Sequence, residues 1–427
     1  MSSVRTRFAP SPTGLLHGGN YRTGIFAYLY ARKHKGTFVL RIEDTDRERS
    51  KKEYEENILE TLSWLGLEHD ELYRQSDRVE RHTEQLQALI ASGHAYESEE
   101  PHKETGVMRK IVRFKNPGGA LTFTDAIRGD ITVDTTDLKD FVIAKSLTEP
   151  LFHLAVVVDD ADMNITHVIR GDDHISNTPR QILIQRALGL PTPIYAHLPL
   201  VLAPDRTKLS KRKGAKSITE YRDLGYLPES LLNFLAMVGW NAGTDQELFT
   251  KEELIEAFDL PQIQKHGAIF NEEKLQWVNK EYMQKLSEEE LTEKAGIKNT
   301  DSRIVHLAKE RAHTLKELKH IVEDELAFFS TTPVLEKEML TEKGGDTKGH
   351  LKELSTIIET FGEETIESIK EKCMPYADLK GRAEVLWPLR YLLSGLKKSP
   401  DPFTILHILP KEESLKRIEN ALGILGE

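Results

Sequence analysis

Five residues, Leu16-His17-Gly18-Gly19-Asn20, stand where an extended run gives way to a helical pattern, and such a junction can grip a phosphate. The first turn of a helix offers unpaired N–H groups and the positive end of its dipole to an anion. Glycines let the backbone come close, and His17 and Asn20 add side-chain hydrogen-bonding groups. Taken alone, a glycine-rich helix start with a surface histidine explains these residues equally well. Far along the chain, Lys208-Leu209-Ser210-Lys211-Arg212-Lys213-Gly214 sets several cations on one loop, within a 205–216 segment of six basic residues and one acid. Cations so gathered suit a phosphoryl transition state and a departing pyrophosphate, although a solvated basic turn has the same composition. Arg41-Ile42-Glu43-Asp44-Thr45-Asp46 ends a strand-like run with three carboxylates, which could cap the next helix, pair on the surface, hold a metal or receive an ammonium group. Arg170 ends another apolar run and poses the complementary problem. A buried guanidinium needs a carboxylate, from the protein or from an anionic ligand held by a bidentate fork.

A frame must bring these stretches together. Val4 to Ala9 alternates like a strand and breaks at Pro10-Ser11-Pro12-Thr13-Gly14; Gly18 to His34 repeats Tyr21, Ile25, Tyr28 and Leu29 at helical spacing; Thr37 to Ile42 is a β-branched strand. Strand, helix and parallel strand in forty residues begin a doubly wound sheet, whose ligands sit at the carboxyl ends of strands. A helix is expected over Lys51–Leu65, an irregular polar stretch over Gly93–Lys110, and antiparallel alternation over Ile111–Val133, so residues 93–154 read as an insert. The parallel pattern resumes with Leu154–Asp160 and Ile165–His174 as strands and Thr178–Leu188 as a helix. From about 217 onward only helical periods are found.

Composition sets outer limits. With 427 residues, 58 Lys and Arg against 69 Asp and Glu, and 39% hydrophobic residues, the chain is neither collagen-like, disordered nor an integral membrane protein. The single cysteine, Cys373, excludes an intramolecular disulfide framework and a multi-thiolate zinc site, which fits a reducing compartment. No export signal or membrane-length apolar run is visible, so a cytoplasmic protein is expected. The net charge of −11 argues against a polyanionic partner, but its distribution does not: residues 1–50 carry nine Lys or Arg against four acids.

RTRFAPSPTGLLHGGNYRTG, FVLRIEDTDRERS, FHLAVVVDDADMNITHVIRGDDHISNTPRQ, HLPLVLAPDRTKLSKRKGA and FNEEKLQWVNKEY together resemble the bacterial glutamyl-tRNA synthetases, class I aminoacyl-tRNA synthetases. GRAEVLWPLRYLLSGLKKSPDPF is similar to the family's distal anticodon-binding helices, so the resemblance spans nearly the whole chain. It implies an α/β fold: a class I Rossmann-like catalytic domain (1–92 and 155–206), an inserted α+β acceptor-arm-binding domain (93–154), a KLSKR loop with stem-contact helices (207–288) and an all-α anticodon-binding region (289–427). It further implies that ATP activates glutamate to an adenylate and that the glutamyl group passes to the terminal ribose of tRNA(Glu). Under the same matching, His17, Gly18, Gly19 and Asn20 form the HIGH element and Lys208 through Arg212 the KMSKS element. The catalytic group would be His17, Asn20, Lys208 and Lys211. ATP would meet His17, Gly19, Asn20, Gly171, Asp173, Val201, Lys208, Ser210 and Lys211, with Asp172 near adenosine. Glutamate would be lined by Arg7, Ala9, Ser11, Glu43, Phe152 and Arg170; Arg7 and Arg170 would face its side-chain carboxylate and Glu43 its ammonium. Mg²⁺ would accompany ATP, bound mainly through phosphates.

Three departures from the family pattern stand out. Phe152 replaces a frequent tyrosine and cannot donate a hydroxyl. The insert is contracted between Tyr96 and Val112 and lacks the zinc-binding cysteines of many relatives, so no zinc is expected. Gly18 replaces an aliphatic residue and is expected to loosen the helix start by up to about 1 kcal/mol relative to Ala. The helical part beyond 289 argues against the truncated relatives that glutamylate a tRNA base and against a tRNA-free nucleotidyltransferase. Glutaminyl-tRNA synthetase is disfavoured because an amide gives Arg7 and Arg170 nothing to neutralise, and a non-enzymatic tRNA-binding paralogue because KLSKR is intact. A relaxed form would also glutamylate tRNA(Gln), and a monomer is the family expectation.

Overall fold

The computed structural model describes residues 3–101, 106–210, 214 and 216–426, and the chain divides into two compact units, Met1–Tyr282 and Met283–Glu427. The first unit opens with strand β1 (Arg5–Phe8), helix α1 (Gly18–Lys33), strand β2 (Thr37–Ile42), helix α2 (Lys52–Trp64), strand β3 (Glu71–Arg74) and helix α3 (Val79–Ala91). Six strands follow: β4 (Ala95–Pro101), β5 (Met108–Phe114), β6 (Ala120–Asp125), β7 (Gly129–Asp134), β8 (Phe141–Ser146) and β9 (Glu149–Pro150). Helix α4 (Phe152–Asp162), strand β10 (His167–Gly171), helix α5 (Thr178–Leu188), strand β11 (Ile194–Leu198) and the short strand β12 (Val201–Leu202) complete the α/β part. Helices α6 (Ile218–Asp223), α7 (Pro228–Met237) and α8 (Lys251–Ala257), strand β13 (Ala268–Ile269) and helix α9 (Glu272–Gln284) come last.

Helix α1 forms because Tyr21, Ile25, Phe26 and Leu29 recur on faces that are fully buried between β1 and α7, while Arg32 and Lys33 meet the negative end of its dipole. Thr6 Oγ1 donates to Ala27 O at 2.8 Å and ties the helix to the strand beneath it. The chain turns into β2 through Lys35, at φ +51°, and Gly36. Strands pair in the order β3-β2-β1-β10-β11-β6-β7, parallel from β3 to β6, with β6 and β7 closing as an antiparallel hairpin. The chain crosses from β1 outward to β3 and later resumes on the other side of β1 with β10. That reversal of strand order opens a crevice at the carboxyl ends of β1 and β10.

Three expectations are corrected. Leu154–Asp160 is not a strand but the middle of α4: a continuous apolar run does not distinguish a buried strand from a helix buried on all sides, and every residue from Leu154 to Asp160 is buried. Within Gly93–Lys110, Ala95–Pro101 is the edge strand of a second sheet, β4-β5-β8-β9, and its exposed acids are what an unpaired edge carries. After 217, Ala268 and Ile269 add a strand pair with Val201 and Leu202. The β6–β7 hairpin, expected within the insert, hydrogen-bonds to β11, so 93–154 contributes to two sheets.

In the second unit the described residues form helices and no strand, packed on Leu351, Leu354, Ile358, Ile369, Leu389, Leu392 and Ile418. Cys373 lies in this core and burial pushes its thiol up to about 11, which makes it inert. No described helix is long and apolar enough to cross a membrane.

Gly36 fixes the α1–β2 turn. A Cβ there would sit 2.1 Å from the carbonyl oxygen of Val4, which accepts from Thr37 N–H at 2.9 Å. Because the obstacle is backbone already used by the sheet, Gly36→Ala is expected to destabilise the unit by about 1–3 kcal/mol, read as a lower denaturant midpoint with unchanged slope.

Candidate active site

The crevice between β1 and β10 is a cleft of about 610 Å³. Arg7, Ala9 and Ser11 reach it from β1 and its loop, His17, Gly19 and Asn20 from the start of α1, and Glu43 from the end of β2. Phe152 enters from α4, Arg170, Gly171 and Asp173 from the end of β10, and Val201 and Lys208 from the segment after β11. Ser210 is half-buried outside this lining, and Lys211 lies outside the described residues. The cleft also takes in Thr13, Arg22, His174 and Asn177, which the sequence reading missed; they are neighbours of the motifs it did single out.

His17 caps α1. Its Nδ1 accepts from Gly19 N–H at 3.1 Å, and Asn20 Oδ1 accepts from His17 N–H at 3.2 Å, a reciprocal capping box built from histidine and asparagine. With Nδ1 as acceptor, the proton of the neutral ring sits on Nε2, so the helix start presents donors, the polarity an anion requires. A Cβ on Gly19 would meet the His17 ring at 3.0 Å, and one on Gly18 would meet Leu235 at 3.1 Å and the Phe270 ring at 3.4 Å. Gly18 therefore marks a close approach of α1 to α7. An isolated antiparallel bridge joins His17 to Ser217, so the segment following the basic loop is registered on the same helix start. On that loop Lys208 Nζ lies 3.0 Å from Asp173 Oδ2, an exposed pair across the cleft.

Below the helix start lies a buried charge network. Asp160 takes Arg41 Nη1 at 2.6 Å and Arg7 Nε at 3.1 Å, and Arg41 Nη2 reaches Glu43 Oε1 at 3.1 Å. Burial opposes ionisation of Asp160, but Arg7 and Arg41 outweigh it and hold its carboxyl below the ordinary range. Burial dominates at Glu43 and raises its pKa despite Arg41 and Arg7, so a further cation at this carboxylate would be welcome. Asp159, the preceding residue, leaves the helix in another direction and is held by Gln75, Arg78 and His82.

Arg170 differs from its neighbours. Its Nε donates to His197 Nε2 at 3.2 Å, its Nη2 donates to Thr178 Oγ1 at 2.8 Å, and its guanidinium lies 5.3 Å from the Tyr195 ring centre. Among the described residues no ion pair includes it, and burial pushes its pKa down to about 10. The choice left open by the sequence is thus narrowed: the protein supplies Arg170 with neutral partners only. His174, which lines the same wall, is lowered to about 4 by burial and by Arg170, and Phe152 packs 5.7 Å from its ring.

The acidic run after β2 separates. Glu43 alone reaches the cleft; Asp44 accepts from Ser76 N–H and Oγ–H, and Asp46 pairs with Arg49. Asp172 pairs with Arg128 at 2.7 Å and is not on the lining. Among the described residues no group of three or more His, Cys, Asp or Glu could hold a metal ion.

Comparison with known proteins gives two family matches, "tRNA synthetases class I (E and Q), catalytic domain" over residues 3–111 and 102–277, and "Anticodon binding domain" over residues 259–422. The glutamate–tRNA ligase of Aquifex aeolicus is 42% identical over 100% of both chains, and that of Nitrosospira multiformis 40% identical over 98% of this chain and 99% of its own. Among solved structures, a glutamate tRNA ligase from Elizabethkingia meningosepticum, determined in complex with its amino acid, is 31% identical with a TM-score of 0.88, covering 99% of this chain and 100% of that one.

The charge network can be tested by stability alone. Asp160→Asn leaves Arg7 and Arg41 buried without their shared carboxylate and is expected to cost about 3–5 kcal/mol at neutral pH. Because the native pKa of Asp160 is depressed, wild type holds this advantage above the unfolded value, about 4, and loses it as pH falls through the lower native value. Denaturant titrations of both proteins from pH 7 downward should converge below about pH 4; a gap that stays constant with pH would remove Asp160 ionisation as its source.

Proposed function

The chain belongs to the glutamate–tRNA ligases of the class I aminoacyl-tRNA synthetases, and from that premise we propose that its cleft binds L-glutamate and ATP, forms glutamyl-adenylate and passes the glutamyl group to tRNA(Glu). An oxygen of the α-carboxylate attacks the α-phosphorus, the bond to pyrophosphate breaks, and a hydroxyl of the terminal ribose then takes the acyl group and releases AMP. No enzyme nucleophile is needed. The residues position two anions beside each other and stabilise the charge that builds between them.

One observation carries the choice of amino acid: Arg170 is a buried guanidinium on the cleft wall that no carboxylate of the described residues pairs with. Among the described residues Arg7, Arg41 and Arg170 are ion-paired only with Asp160 and Glu43, which leaves one positive charge unmatched. Glutamate brings one net negative charge, and glutamine brings none. In this reading Arg170 takes the side-chain carboxylate, Arg7 is held against Asp160 at its base, and Glu43 receives the α-ammonium, whose charge reverses the penalty of ionising a buried carboxyl. Ala9 and Ser11 line the backbone side and Phe152 packs against the substrate without a hydroxyl to offer. His17, Gly19 and Asn20 present helix-start donors to the phosphates, Lys208 and Ser210 lie on the basic loop, Lys211 is a further phosphate contact by its place in the motif, and Gly171, Asp173 and Val201 shape the nucleoside end. Mg²⁺ would arrive with the nucleotide and be held mainly by its phosphates. A cytoplasmic, reducing setting is consistent with the single, buried Cys373, and a monomer is what the family relationship suggests.

The reading is tested by ATP-dependent attachment of labelled glutamate to purified tRNA(Glu) and tRNA(Gln). Charging of the first alone is expected from a discriminating ligase, charging of both from a relaxed one, and charging of neither by folded protein would overturn the proposal. Arg170→Ala is expected to weaken glutamate binding by about 2–5 kcal/mol while the KM for ATP stays put; unchanged glutamate affinity would make Arg170 structural. Lys211→Ala should lower the rate of glutamate-dependent ATP–pyrophosphate exchange by roughly 10²–10³-fold without altering the melting temperature.

A further inference from the structure

Arg170 is held by a chain of hydrogen bonds that starts in the β6–β7 hairpin. Asp125, the last residue of β6, is 2 % exposed; its Oδ1 accepts from Ile127 N–H at 3.0 Å and Arg128 N–H at 2.9 Å. Its Oδ2 accepts from the backbone N–H of His197 at 3.0 Å and lies 2.7 Å from His197 Nδ1. An ionised carboxylate only accepts, so Nδ1 carries the imidazole proton and Nε2 carries a lone pair. That lone pair receives Arg170 Nε–H at 3.2 Å and lies 3.1 Å from Thr178 Oγ1. Tyr195 stacks on the imidazole at 5.9 Å and 8°, Arg128 Nε donates to the His197 carbonyl at 3.3 Å, and the His197 side chain is fully buried.

We propose that Asp125 and His197 are positioning residues for amino-acid recognition, a relay that fixes the tautomer of His197 so that a neutral acceptor orients Arg170 while leaving its charge for the substrate carboxylate. The proposal rests on the reading of Arg170 given above. A carboxylate placed directly on Arg170 would orient it equally well but would neutralise it and compete with the ligand. One imidazole of separation supplies direction without that competition. Burial lowers the pKa of His197 despite Asp125 beside it, which keeps the ring neutral and an acceptor at its Nε2. The hydrogen bonds from His197, Arg128 and Ile127 overcome burial at Asp125 and keep it ionised.

Asp125→Asn forces a mismatch, because both of its oxygens accept and an amide has one oxygen. Outer partners of metal-ligating side chains typically cost 10–100-fold when removed, and by analogy the KM for glutamate is expected to rise by about that factor while the KM for ATP holds and the melting temperature falls modestly with the buried mismatch. The ratio of kcat/KM for glutamate over glutamine should fall in parallel. In a His197→Ala background, Asp125→Asn should add little, since the path to Arg170 is already cut. An equal effect of Asp125→Asn in both backgrounds, or none on glutamate, would overturn the relay. Should Asp125→Asn fail to fold, His197 alone decides: His197→Gln, which restores an acceptor, is expected to bind glutamate more tightly than His197→Ala, and equal affinities would overturn the proposal. Arg170→Ala separates the two ideas. If it leaves glutamate affinity intact, the reading of Arg170 falls and the relay with it; if it weakens glutamate and Asp125→Asn does not, the relay alone falls.

Discussion

One carboxylate organises the catalytic end of this molecule. Asp160, buried on α4, neutralises Arg7 from β1 and Arg41 from β2 at once. Two guanidiniums on adjacent parallel strands would repel each other and could not stay out of water unpaired. The helix must therefore cross the sheet where its Asp160 reaches both, and Asp159 one step further round must find its own partners in Arg78 and His82 on the far side. A run of Leu, Ala and Val supplies the apolar cover that lets the ions remain dry. Positions of β1, β2 and α4 are thus mutually fixed by charge as well as by packing. The loops that leave β1 and β2 inherit that precision, and these loops carry Ala9, Ser11 and Glu43 into the cleft.

The same economy of charge extends to the wall of the cleft. Among the described residues Arg7 and Arg41 have a protein anion and Arg170, on the cleft wall, has none. Glu43 shows the reverse imbalance: its environment disfavours its charge until a cation is added. A zwitterion with an additional carboxylate corrects both at once. Helix α1 contributes on a different principle, since its start offers backbone and side-chain donors whose arrangement is stabilised by the capping box itself. A substitution that weakened the cap would loosen the helix start and the donors it presents together, because His17 and Asn20 hold both.

Most of the frame was legible in the sequence, because α1, β2 and α5 have periodic patterns bounded by Gly, Pro or capping residues, and their edges fall within one residue of expectation. The cleft residues were legible for a different reason, as motifs of chemistry-bearing side chains next to strand ends. Helix α4 was not, since burial on every side erases the periodicity that distinguishes helix from strand, and Asp160 was missed with it. Strand β4 was hidden by its exposure: AYESEEP carries charge where a paired strand carries apolar residues. Asp125 and His197 could not be found from spacing at all. They lie 72 positions apart, on strands brought side by side only by the crossover of the sheet.

That last pairing changes what the inserted segment contributes. Strands β4, β5, β8 and β9 form a separate sheet, held at its outer side by Arg113 with Glu100 and by Tyr96 with Asp140. The β6–β7 hairpin between them instead extends the catalytic sheet, and three of its contacts run inward: Asp125 to His197, Arg128 to Asp172, and Arg128 to the His197 carbonyl. Asp172 directly follows Gly171 at the mouth of the cleft, so the hairpin holds the β10 terminus from one side while the charge network holds β1 from the other. The inserted segment is thereby tied to the catalytic sheet through Asp125 and Arg128, which hold His197, the residue that Arg170 Nε meets.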